Sequence, residues 1–141
     1  MYNLLSVSIS KKAYIIIRKA KSLNIIKGVK TMNIIFTNKE LDKREIYKHT
    51  RAAGVSIKDC EDGAIIVPAE VCIYEDANNN GEAVTITSII DKDGKHYVTN
   101  SRFFREELTY ILDLMKGEEF GLVVRKQKSK GGRTFVTCEM N

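Results

Sequence analysis

Few residues in this chain are placed to do chemistry, and those few point away from catalysis. The two histidines, His49 and His96, have no Cys, His or carboxylate at ligand or triad spacing. No nucleophile–base–orienter set can be assembled around them, and each reads as an exposed or half-buried side chain. Asp91 and Asp93 can pair as carboxylates, but a hairpin turn accounts for both. Asp76-x-Asn78-x-Asn80-Gly81 matches the opening of an EF-hand calcium loop, and then fails, because position twelve is Thr87 where a bidentate Glu is required. It reads as an Asn/Gly turn. Lys128-Ser-Lys-Gly-Gly-Arg133 is rich in Gly and Lys but lacks the Gly-x4-Gly-Lys-Ser/Thr spacing that cradles nucleotide phosphates. Cys60, Cys72 and Cys138 are odd in number and far apart, which argues against a disulfide framework or a zinc site and for a reducing cytoplasm. No metal, cofactor or enzymatic activity is expected.

The aromatic residues and cations are more informative. Tyr74 alternates onto a strand face with Glu70 and Cys72, and Tyr97 shares a face with Lys95 and Thr99. Tyrosines on polar faces beside cations can stack unpaired bases, since every base offers a π-face. Arg125, Lys126, Lys128, Lys130, Arg133 and Phe135 cluster near the C-terminus. Flexible cations there can displace counterions from a phosphate backbone.

These residues need a scaffold. From Ala64 the hydrophobic period is two: Ile65, Val67, Ala69, Val71 and Ile73 form an apolar face, opposite Ile66, Pro68, Glu70, Cys72 and Tyr74. Pro68 cannot donate to a ladder and marks an edge or bulge. A turn at 76–81 leads to a second strand near 82–90, with Val84, Ile86 and Ile90 inward and Thr85 and Thr87 outward. Asp93-Gly94 is a hairpin turn, and 95–99 returns. Asn100 or Ser101 then caps a helix whose stripe is Phe104, Leu108, Ile111, Leu112 and Met115, with Gly117 as its left-handed end. Strands over 120–127 and 133–140 close the order. Strand, strand, strand, helix, strand, strand predicts a mainly β, five-stranded oligonucleotide/oligosaccharide-binding (OB) barrel over residues 60–141. An α+β sandwich is the alternative. Residues 32–59 read as an extended and helical segment, with Asn38 capping a helix to about Thr50 and a loop over 55–62.

The 141 residues carry a formal +5, but residues 1–31 hold seven cations and no carboxylate. The remainder therefore carries 5 − 7 = −2, so any anionic partner must meet a local patch. Residues 1–31 are expected to be a poorly ordered basic leader. Lys27-Gly28-Val29-Lys30-Thr31-Met32 can be encoded with a ribosome-binding AAGGAG ahead of an ATG at Met32, which makes a native start there the economical reading; a basic arm on nucleic acid is the other. No apolar run approaches the length of a membrane span.

Thr85-Ile-Thr-Ser-Ile-Ile-Asp-Lys-Asp-Gly-Lys-His-Tyr97, the capped helix after Thr99-Asn-Ser101, and Val123-Val-Arg-Lys-Gln-Lys-Ser-Lys-Gly-Gly-Arg-Thr-Phe135 together resemble the single-stranded-DNA-binding proteins of phages, including those of small protein-primed Bacillus phages. Asn38-Lys-Glu-Leu and Arg44-Glu-Ile-Tyr-Lys48 look like the opening of such proteins, so the likeness covers about 32–141. It implies an OB-fold that coats single strands during phage or prophage replication, without sequence preference or catalysis. It places Tyr74 and Tyr97 where those proteins have stacking tyrosines, and it makes replication proteins further partners. Residues 77–81 depart from the pattern, because they carry no aromatic. The competing reading is an OB module that binds RNA or a protein.

Overall fold

The computed structural model describes residues 32–141. The expectations for residues 1–31 lie outside this range. Strand β1 (Asn33–Thr37) is followed by helix α1 (Lys43–Arg51), a two-residue strand β2 (Val55–Ser56) and a 3-10 turn (Ile57–Asp59). Then come β3 (Ile65–Ile66), β4 (Pro68–Ala77), β5 (Ala83–Asp91), β6 (His96–Thr99), α2 (Arg102–Met115), β7 (Leu122–Lys128) and β8 (Thr134–Met140).

The strands form two open sheets, one ordered β1-β4-β5-β6-β2 and one ordered β3-β7-β8. The expected order from residue 65 is present, but a closed five-stranded barrel is not. The stretch 65–77 breaks at Val67, so its first part pairs with β7 and its second part with β5 and β1. Among the described residues no strand pairing joins β8 to β6 or β2. That seam is occupied by the 3-10 turn, which packs against both β6 and β8. Its Ile57 is fully buried in the main core. Residues 55–62 are therefore not the plain loop the sequence suggested.

Helix α1 starts four residues later than expected. Asp42 and Glu45 form a reciprocal capping box, with Glu45 N donating to Asp42 and Asp42 N donating to Glu45, both at 2.8 Å. Asn38 accepts from Val71 N at 2.8 Å instead, and so extends the β1–β4 pairing past the end of β1.

The expected inward and outward faces are partly reversed. A register irregularity between Pro68 and Glu70 shifts the alternation. Ile66 is buried while Ile65 is exposed, and beyond the irregularity Val71 and Ile73 enter the main core. Thr87 and Ile89 of β5 are fully buried, and Ile89 lies in the main core. Ile86 instead packs into a second core with Ile34, Leu41, Cys72 and Tyr74. The sheet is thus covered on both sides, by α2 and the second sheet on one and by the β1–α1 region on the other.

Helix α2 follows its predicted stripe. Phe104, Leu108 and Ile111 are buried, and Ser101 is the cap. Its left-handed end falls at Lys116 (φ 47°) as well as at Gly117 (φ 92°).

Candidate nucleic-acid interface

At the seam between β6 and β8 lies an open groove of about 860 Å³. Its walls come from Lys58 of the 3-10 turn, residues 99–103 around the start of α2, and the β7–β8 hairpin. Ser101 fixes the two principal walls. Its hydroxyl donates to Val136 O at 2.6 Å and accepts from Phe104 N at 3.2 Å, tying the first turn of α2 to β8. Phe103 and Phe135 stand next to these anchors, with ring centroids 4.8 Å apart and planes tilted by 42°. That separation leaves no slot between the rings, so together they make one apolar platform on which a flat ligand can lie. Phe103 is 52% exposed.

The charge of this groove is one-sided. Lys58, Arg102, Lys126 and Arg133 line it, and no carboxylate does. Arg102 Nε donates to Glu106 at 2.8 Å across the exposed helix surface, an i,i+4 pair that leaves its other guanidinium N–H groups free of that bond.

Of the cations named from sequence, Lys126 and Arg133 line the groove together with Phe135. Lys128 and Lys130 sit beyond its lining, on the exposed hairpin tip. Arg125 alternates away from Lys126 along β7 and pairs with Glu139 at 3.2 Å.

The two tyrosines are not where the polar-face reading put them. Tyr74 is only 5% exposed, packed in the second core, and burial pushes its phenol up to about 12. Leu41 and Ile46 of the α1 region pack over a strand face that sequence alone left open. Tyr97 is 8% exposed and belongs to the main core. It also lines a second, smaller groove of about 470 Å³, with Lys95 Nζ 5.5 Å from its ring centroid. Burial, then Asp91, raises its phenol. Exposed Val55 and Ile65 and the carboxylates of Asp59, Glu61 and Asp62 complete that groove.

The family model described as Phage Single-stranded DNA-binding protein matches residues 26–141. The chain belongs to this family. A phage single-stranded DNA-binding protein of the same kind, "Single-stranded DNA-binding protein" of Bacillus phage B103, is 32% identical over 101 residues, covering 67% of this chain and 83% of its own. No solved structure matches the chain.

In this phage single-stranded DNA-binding protein, Phe103, Lys58 and Arg102 line the groove without having been singled out by the sequence. A cue for Phe103 was present. Adjacent helical residues lie 100° apart, so once Phe104 took the buried stripe, Phe103 had to face outward. Lys58 carried no cue, because its placement depends on Ile57 plugging the seam.

The histidines also depart from expectation. Neutral His49, fully buried, sits within 3.1 Å of Glu70 through Nε2 and 2.7 Å of Ser88 Oγ through Nδ1. Ser88 Oγ is in turn 2.7 Å from His96 Nε2. A consistent proton assignment has His96 Nε2–H donating to Ser88, Ser88 to His49 Nδ1, and His49 Nε2–H to Glu70. Burial, then His96 and then Lys48, lowers His49 to about 4, so the Glu70 contact is a hydrogen bond from a neutral ring and not an ion pair at neutral pH. The Ser–His–Glu order imitates a hydrolase triad, but Ser88 is 0% exposed, so no substrate atom reaches it. This row of hydrogen bonds joins α1 to β4, β5 and β6. Asn78 is likewise structural: its Oδ1 accepts from Asn80 N and Glu82 N within the turn. Among the described residues no group of three or more His, Cys, Asp or Glu is placed to hold a metal, and no helix is long and apolar enough to cross a membrane.

Proposed function

We propose that this protein coats single-stranded DNA during phage or prophage replication, in the cytoplasm of a bacterial host, without catalysis and without reading sequence. Bases stack on the Phe103–Phe135 platform, and Lys58, Arg102, Lys126 and Arg133 neutralise the phosphates. Lys128 and Lys130 add mobile charge from the hairpin tip, and Lys95 and the edge of Tyr97 make secondary contacts. The scaffold for this work is an OB-type barrel opened at the β6–β8 seam and plugged by the 3-10 turn. Residues 32–59 belong to the same functional unit, because they supply Lys58 and two strands of the larger sheet.

The observation that carries this reading is the groove that joins two phenylalanine rings to four cations and excludes every carboxylate. Its test is anisotropy of labelled oligo(dT) with Phe103→Ala and Phe135→Ala variants, against duplex of the same length. Each stacked base contributes on the order of 1–3 kcal/mol, so each variant is expected to weaken single-strand binding at least about fivefold. Unchanged affinity in both variants, or equal affinity for duplex, overturns the assignment.

A further inference from the structure

Helix α1 has a face that the groove does not use. At 100° per residue, positions 43, 44, 47, 48 and 51 fall within about 140° of arc, with Ile46 and His49 on the other side. The outward arc holds Lys43, Arg44, Lys48 and Arg51, all exposed, around Tyr47, which is 67% exposed. Among the described residues none of the four cations is in an ion pair. The first-turn carboxylates, Asp42 and Glu45, are occupied by the capping box. On a body whose described residues sum to −2, this helix is a concentrated positive surface with an unpartnered phenol ring in its middle.

The helix is also held firmly. His49 is its one fully buried side chain, and both ring nitrogens are bonded to the sheet. Because the docking side is fixed, the basic side is fixed too. Strand β6 links this anchor to the groove, with His96 at the helix end and Thr99 at the groove end, a span of about 10 Å at 3.3 Å per residue.

We infer that the outward face of α1 is a second contact surface for the same single strand, with Tyr47 stacking a base and the four surrounding cations tracking phosphates, engaged only by strands long enough to leave the groove. A membrane surface fits poorly, because the arc offers no apolar residue besides Tyr47. An acidic protein partner would satisfy the charges but leave the ring unexplained.

The inference rests on the single-strand reading of the groove, and oligonucleotide length separates the two. Full-length protein carrying Lys43→Gln, Arg44→Gln, Lys48→Gln and Arg51→Gln is titrated with oligo(dT) of about six and of roughly thirty nucleotides. On the long strand, affinity at low salt should fall at least about tenfold. The salt slope should decrease by about 2 to 3, at ~0.7 for each phosphate that is no longer neutralised. On the short strand, binding should be unchanged. Tyr47→Ala should weaken long-strand binding about tenfold, and Tyr47→Phe should restore it. Unchanged long-strand binding overturns the inference, as does equal weakening on both lengths, which would indicate only a diffuse field. Should the fourfold variant melt early, Lys43→Gln with Arg44→Gln, in the first turn and away from His49, repeats the test. Phe103→Ala without effect on either length overturns the groove reading instead.

Discussion

Among the described residues, one groove built on phenylalanines and one built on a tyrosine differ mainly in charge. The one at the start of α2 joins Phe103 and Phe135 to four cations and no carboxylate. The one beside β2 and β3 joins Tyr97, Val55 and Ile65 to three carboxylates and a single lysine. Both draw on β6, through Thr99 and Tyr97 respectively. An aromatic surface is therefore easy for the fold to provide at either place. What separates the two grooves is the local sign of charge, on a chain whose net charge says nothing about either.

Acid should test what the grooves share. His49 is held at about 4, below its ordinary 6.5. Between those values the unfolded chain binds the extra proton, so stability is intact above pH 6.5 and declines as pH falls toward 4. His96 is shifted the same way by burial. Glu70, raised first by burial, offsets part of the decline. A loss of up to about 3 kcal/mol is expected across this window in urea titrations, and His49→Gln should flatten it. Next in size, Lys126→Glu with Arg133→Glu cancels the positive charge of the first groove, leaving two cations against two carboxylates. Oligo(dT) binding should fall roughly 100-fold at low salt, with the salt slope reduced by about 1.4 because two phosphates are left without a cation. Ser101→Ala removes both the cap of α2 and its bond to Val136. A stability loss of roughly 1 to 2 kcal/mol by thermal melting is expected, with weaker binding from a loosened platform. The smallest effect is the converse swap. Asp59→Lys with Glu61→Lys should strengthen binding only about two- to fivefold, and only at low salt, since exposed charges are screened. A gain that persists at high salt would show that the second groove stacks bases as well.

What the sequence disclosed was local. The buried stripe of α2, its Ser101 cap and the Asp93-Gly94 turn each depend on residues a few positions apart, and all three are present as expected. What it concealed depends on distant pairing. Residues 33–37 pair with the edge of β4, and Leu41 and Ile46 of the α1 region pack with Cys72 and Tyr74, which makes both faces of that strand internal. The irregularity at Pro68 then reverses which side each alternating residue occupies. Phe135, Lys126 and Arg133 were legible as a basic, aromatic hairpin, whereas their partners Phe103 and Lys58 come from elements whose approach no spacing encodes. The histidines looked idle because Ser88, the residue that joins them, lies on a third element.

The plugged seam has a mechanical consequence. Where neighbouring strands share a ladder, spreading them means unzipping several amide bonds together. Here, among the described residues, no ladder joins β8 to β6; Ile57 and the turn that bears it fill the seam, and Ser101 ties its groove end to Val136 O. Separating β8 from β6 along this line would break no strand ladder among the described residues; it would cost the packing around Ile57 and the Ser101 hydroxyl bond, while the rungs within each sheet stay closed.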